Sequence, residues 1–220
     1  MKRRHLIAGI IAILVVWPVP LSAQVVVNGS FEAVVLSSPF FTTSPSDVPG
    51  WTKTGALGDA QLFAVGYADG GGSVTIAGQG NQFAVLGGGA SGGTLSAWEQ
   101  TVTGLTPGVS YTLDFKVASE INFAQDATVS FLTGSTTAGQ NFTTTPASVN
   151  YWHDWEQKTL TFVASGTSAT IQWAYSGPFD LGLDDIVITA IPEPATWTLL
   201  ALGLALSGLT ARRGRFARRR

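Results

Sequence analysis

The chain has 220 residues, no cysteine, and twelve basic against fourteen acidic side chains, a formal net charge of −2. The lack of cysteine excludes disulfides, zinc–thiolate sites and a cysteine nucleophile, so the domain relies on its core for stability. The net charge hides a segregation: nine basic residues lie in the two terminal segments, leaving Lys53, Lys116 and Lys158 against thirteen acids in the body, a net −10. Such a surface excludes nucleic acid, whose phosphates need clustered Lys and Arg, and suits divalent cations and neutral ligands better.

The N-terminus carries a basic stretch, Lys2-Arg3-Arg4-His5, then an apolar run of twelve residues from Leu6 to Trp17, then Leu21-Ser22-Ala23 before Gln24. This order predicts a signal peptide over residues 1–23; twelve residues ending at Pro18 are too few to span a bilayer. An uncleaved N-terminal anchor is the alternative. The mature body, 24–190, has the length of one domain.

The body is rich in Thr, Ser, Val and Gly, and no segment sustains an amphipathic helical period, which predicts an all-β domain. A first strand is expected over Val25–Glu32, followed by a Ser/Thr/Pro-rich loop from Ser37 to Pro49. Within the glycine-dense stretch 66–94, short apolar pieces at Val74–Ala77 and Phe83–Leu86 read as paired strands. The clearest strand is Tyr111–Val117, where Tyr111, Leu113, Phe115 and Val117 alternate with polar residues after the turn tripeptide Thr106-Pro107-Gly108. Further strands are expected at Ala97–Thr103, Thr128–Leu132, Glu156–Ala164, Thr170–Tyr175 and Leu183–Ala190. Short strands and frequent turns predict a two-sheet β-sandwich of jelly-roll type.

Aromatic residues are the first candidates for ligand binding. Tyr151-Trp152-His153-Asp154-Trp155 is the densest cluster and falls in a loop; Trp152 and Trp155 are expected to stack on flat sugar faces while nearby amides and carboxylates bond hydroxyls. Trp51 and Trp173 read as core. Catalysis has little support. Gly89-Ala90-Ser91-Gly92-Gly93 matches a nucleophile-elbow pattern but lacks the strand-to-helix setting, and His153, the body's one histidine, neighbours Asp154 only in sequence. A hydrolase built on Ser91 and His153, or on a carboxylate pair, is the remote alternative.

The last thirty residues have three parts. Ile191-Pro192-Glu193-Pro194-Ala195 places a glutamate between two prolines on an extended peptide; residues 195–211 form an uncharged apolar run of 17; residues 212–220 carry six arginines. The run is at the short end of what a transmembrane helix needs, and the arginines are expected to stay cytoplasmic. An anchor that is never cut is the plain alternative.

This tail, residues 191–220, resembles the PEP-CTERM sorting signal in order, spacing and charge. The resemblance implies recognition by an exosortase, a membrane transpeptidase of Gram-negative bacteria that make exopolysaccharide. Pro192, Glu193 and Pro194 are then a substrate motif, and the processed body belongs at the cell surface or in the extracellular matrix.

The body is similar to the galactose-binding-like jelly rolls, a group with many carbohydrate-binding modules and the choice-of-anchor domains that precede PEP-CTERM tails. The residues that carry the likeness are Asn28-Gly29-Ser30-Phe31-Glu32, Pro49-Gly50-Trp51, Gln100-Thr101-Val102, Gly104-Leu105-Thr106-Pro107-Gly108 and Leu183-Asp184-Asp185-Ile186. The resemblance implies a structural calcium ion bound by Glu32 and Asp185 with backbone carbonyls; without it, the two acids serve turn amides. Asp184 and Asp185 are expected on opposite faces of a strand, so that one of them at most is a ligand. The leading expectation is a non-enzymatic, exosortase-sorted surface or matrix protein. The alternative is a carbohydrate-binding module for exopolysaccharide.

Overall fold

The computed structural model describes residues 26–34, 36, 40–42, 48–54, 61–69, 72–87, 96–121, 124, 126–133, 136–175, 179–192 and 203. The expected signal peptide, Ser91, and the tail from Glu193 onward apart from Gly203 lie outside them. The strands are β1 Phe40–Thr42, β2 Thr52–Thr54, β3 Gln61–Ala64, β4 Ala68–Asp69, β5 Gly72–Ser73, β6 Gln82–Leu86, β7 Ser96–Thr103, β8 Ser110–Ser119, β9 Asp126–Thr133, β10 Thr136–Thr143, β11 Glu156–Val163, β12 Ser168–Tyr175 and β13 Leu181–Ala190.

They form an antiparallel sheet of order β1-β3-β6-β13-β8-β11 and a second of order β10-β9-β12-β7-β2, with β4 and β5 as a small ribbon. The described body is thus all-β, a two-sheet jelly-roll sandwich, as the alternation along β8 predicts. That strand buries Tyr111, Leu113, Phe115 and Val117 between the sheets, where they meet Trp98, Ile171, Trp173 and Tyr175 from the facing sheet. Trp51 and Trp173 are core residues, with ring centroids 5.6 Å apart.

A second apolar cluster lies on the outer face of the six-stranded sheet. In β6, Ala84 and Leu86 face the inter-sheet core while Phe83 and Val85 face outward, where they join Phe63, Val74, Ala77, Ala118 and Trp152. Both faces of β6 are therefore buried, which accounts for its unbroken apolar sequence. The cover comes from segments 65–81 and 147–155. The first is folded back by Gly66 N and Val74 N donating to Val74 O and Tyr67 O; the second is pinned where Tyr151 N donates to Glu120 O at 2.7 Å.

Two expected strands differ from what is observed. Residues 26–34 form turns, because Asn28 and Phe31 take positive φ angles of 54° and 57°, which an extended strand does not allow. Val27 still has a strand-like partner: its N donates to Oε1 of Gln100 and its O accepts from Nε2, each at 2.8 Å. Val74–Ala77 is irregular and contributes Val74 and Ala77 to the outer cluster in place of a ladder.

Candidate functional site

Trp155 is a half-buried residue packed against the outer cluster, with Tyr67 and Tyr151. Its ring makes an edge contact with Phe83 at 5.1 Å between centroids, and Nε1 lies 3.4 Å from Ile76 O. Two glycines provide its seat: a Cβ at Gly78 would stand 2.9 Å from Trp155 Cε3, and one at Gly182 would stand 2.9 Å from Cη2. Tyr67, Tyr151 and His153 are half-buried nearby, and Thr75, Ile76, Gln79 and Asn81 are exposed on the covering segment. Thr75 and Gln79 are chain neighbours of Ile76 and Gly78, which meet the ring, so hydroxyl and amide groups accompany apolar ring surface on this segment, the combination that binds a sugar face and its hydroxyls.

The two tryptophans expected as platforms have different positions. Trp152 is 1% exposed, in contact with Phe63 at 5.1 Å and Phe83 at 5.4 Å, and its Nε1 has no partner among the described residues. Tyr151 and Trp152 both have positive φ, 74° and 55°, which turns the chain sharply and drops the second ring inward. Trp152 therefore backs the surface while Trp155 borders it.

Beside this surface, acids hold the turn that follows Ala77. Glu32 Oε1 accepts from Asn81 N at 2.6 Å and Gln82 N at 2.7 Å, and Asp184 Oδ2 accepts from Gln79 N at 2.6 Å. The ends of the domain do lie side by side, with Ile186 N donating to Gly29 O at 3.0 Å. A bulge between Asp184 and Val187, with Asp185 at φ 51°, breaks the expected alternation. Asp184 and Asp185 consequently both serve the same turn: Asp184 directly, and Asp185 through Lys116, whose Nζ is 3.0 Å from Asp185 Oδ2 and 2.8 Å from Gly78 O. Asp184 is fully buried, and burial pushes its carboxyl up to about 8, with Asp185 and Glu32 adding repulsion.

These residues bear on the calcium expectation. Asp185 pairs with the Lys116 ammonium, while Glu32 and Asp184 are held by backbone amides of the turn. Asp185 Oδ2 and Gly78 O, a carboxylate and a carbonyl oxygen of the kind calcium uses, converge on one point, which Lys116 Nζ fills. Glu32 is turned instead to the amides of Asn81 and Gln82. Among the described residues, no three acidic or histidine side chains gather as a metal group.

Of the remote hydrolase pair, Ser91 lies outside the described residues, so of these candidates only His153 and its sequence neighbour Asp154 are placed. His153 Nδ1 lies 3.4 Å from Thr75 Oγ1, while Asp154 accepts from Ser148 N. Hydrogen bonds from the Ser148 side chain and then its backbone hold the exposed Asp154 carboxyl below its ordinary value. At the far end of β13, Ile191 N donates to Ser110 O at 2.8 Å, so Pro192 follows the last paired residue directly.

No protein-family model and no curated protein sequence matches the chain. Among solved structures it is similar to the module TmCBM61 in complex with beta-1,4-galactotriose, at 18% identity and TM-score 0.50, covering 77% of this chain and 100% of that one. It is also similar to the K2 cleaved adhesin domain of Lys-gingipain, at 14% identity and TM-score 0.50, covering 73% of this chain and 96% of that one. A third likeness is to part of the arabinose-bound MgGH51 α-L-arabinofuranosidase, at 10% identity and TM-score 0.52, covering 76% of this chain and 26% of that enzyme. What is shared at these identities is the fold.

Proposed function

We propose that the body is a non-enzymatic carbohydrate-binding domain, exported and presented at the cell surface or in the matrix. The observation that carries this reading is the half-buried Trp155 indole, seated on Gly78, Gly182 and Phe83 beside a covering segment on which Thr75, Gln79 and Asn81 are exposed. The galactotriose-bound neighbour supports it through the shared fold. An acidic body binds neutral sugars by stacking and hydrogen bonding, so the ligand class is a neutral glycan of the surrounding exopolysaccharide. A glycan array on the wild type and on Trp155→Ala tests it. Binding lost about tenfold or more in the variant supports the assignment; no binding by either protein removes it.

The tail gives the proposed route. Pro192, Glu193 and Pro194 form the exosortase motif, residues 195–211 the membrane helix and the arginines the cytoplasmic end. Intact mass of the protein from surface and membrane fractions, with and without the exosortase, tests this. A surface form ending near residues 192–195, found only with the enzyme present, is the expected result; a full-length tail in every fraction leaves a permanent anchor. A calcium ion would reach Asp185 Oδ2 and Gly78 O only by displacing Lys116 Nζ, while Glu32 orients the adjoining amides.

A further inference from the structure

We infer that the domain stands with one charge-free end against a lipid bilayer, the headgroup layer being the partner of that end, while Trp155 is held at the opposite pole. This rests on the reading of residues 195–211 as a membrane helix. Five strands meet at the end in question: Ser110 of β8 pairs with Val163 of β11, Tyr111 with Ala190 of β13, and Thr103 of β7 with Ser168 of β12. The turns between them are bonded to each other, Leu105 N donating to Thr167 O at 3.0 Å and Gly108 N to Ala164 O at 2.7 Å. Tyr111 Oη steadies the first turn by accepting from Thr106 N at 2.9 Å.

None of these pieces carries charge. Residues 101–113, 159–175 and 186–192 contain no Asp, Glu, Lys or Arg, in a body with thirteen acids. On β8 and β7 the first acids are Asp114 and Glu99, each four residues back from Ser110 and Thr103. That setback is roughly 13 Å at the rise of a strand, beyond the screening length of about 8 Å at physiological salt. Anionic headgroups touching this end therefore repel the acidic body little. Val163 and Ile191, both exposed, add apolar surface to it.

The tail sets the distance. Ile191 N still donates to Ser110 O at 2.8 Å, and Pro192, Glu193 and Pro194 alone separate it from the apolar run. Three residues reach about 10 Å at most, little more than one headgroup layer of about 5–8 Å. Whatever part of the body adjoins Ile191 must meet lipid, and that part is the uncharged end; Glu193, in the link itself, is the one acid close by in sequence. β13 leads away from it. Gly182, which seats Trp155, pairs with Ala118 at the other end of β8, nine residues or about 30 Å from Ile191.

Because the chain has no cysteine, single cysteines can be labelled cleanly. The test uses the full chain in vesicles of phosphatidylethanolamine and phosphatidylglycerol, with a fluorophore at Val163→Cys, Thr167→Cys or Val149→Cys and headgroup-nitroxide lipid as quencher. Val149 is exposed on the segment that Tyr151 N, donating to Glu120 O, pins to the far end. Labels at 163 and 167 are expected to lose most of their fluorescence and the label at 149 to keep most of its own. Should one of the first two variants fail to fold, the other gives the reading. A label at 149 quenched as much as either of them, strongly or weakly, overturns the inference while the anchor stands. If the reconstituted chain does not float with the vesicles, the membrane-helix reading fails and the orientation falls with it.

Discussion

Gly182 lies beneath two indoles: a Cβ on it would stand 2.9 Å from Cδ1 of Trp152 and 2.9 Å from Cη2 of Trp155. Trp152 is enclosed by Phe63 and Phe83, so Trp155, with one side at the surface, is the ring that gives way. Gly182→Ala is expected to cost about 1–3 kcal/mol, the usual range for overpacking a filled site. It should also move Trp155 outward. Denaturant midpoints measure the first effect, and loss of glycan binding without global unfolding reports the second.

Trp152 and Trp155, three residues apart, should separate cleanly under mutation. Trp152→Ala removes a fully buried ring and is expected to cost about 3–5 kcal/mol. Trp152→Phe should cost markedly less, because Nε1 has no partner to lose among the described residues. Trp155→Ala is expected to lower stability less than Trp152→Ala while abolishing most glycan binding. Equal losses of stability from the two alanine variants would contradict the division into backing and platform.

Much of the sandwich was legible because its strands obey a local rule. Alternation marks β8, β12 and β13, and the tail has its own charge and hydropathy order. β10, Thr136–Thr143, has no comparable apolar alternation and escaped notice, as did the short strands β1 to β5, of which β1 falls in the expected loop from Ser37 to Pro49. The site was legible only in part. A loop position predicts exposure for Trp152, but the cluster on the outer face of β6 makes that loop a lid over a second core. Nor does the Leu183-Asp184-Asp185-Ile186 sequence announce a bulge; alternation would put its two acids on opposite faces. The glycine seats at 78 and 182 depend on contacts across the chain, which no local pattern encodes.

Gln100 is the bridge between the first described turn and β7. Its side-chain amide bonds both N and O of Val27 at 2.8 Å while itself 5% exposed. Gln100→Leu keeps the volume and removes both partners, leaving those backbone groups to find water. Destabilisation of about 1–3 kcal/mol is expected. Gln100→Glu should fall between the two proteins, since a carboxylate can still accept from Val27 N but has no donor for Val27 O. Exchange of the Val27 amide proton is the local readout: it should quicken in Gln100→Leu before the core amides of β8 change.

The buried Asp184 predicts an uncommon pH dependence in calcium-free solution. Its carboxyl is pushed by burial from the ordinary 3.8 to about 8, so between these values the folded protein retains a proton that the unfolded chain has released. Stability therefore falls as pH rises through this window and levels off above about 8, the full change being on the order of a few kcal/mol. The usual paired carboxylate does the opposite and strengthens the fold as pH rises. Asp184→Asn cannot ionise and should flatten the slope, whatever its own cost in stability. Unfolding midpoints of wild type and Asp184→Asn from pH 4 to pH 9 in EGTA decide the matter. Parallel curves for the two proteins would mean that another group governs the dependence.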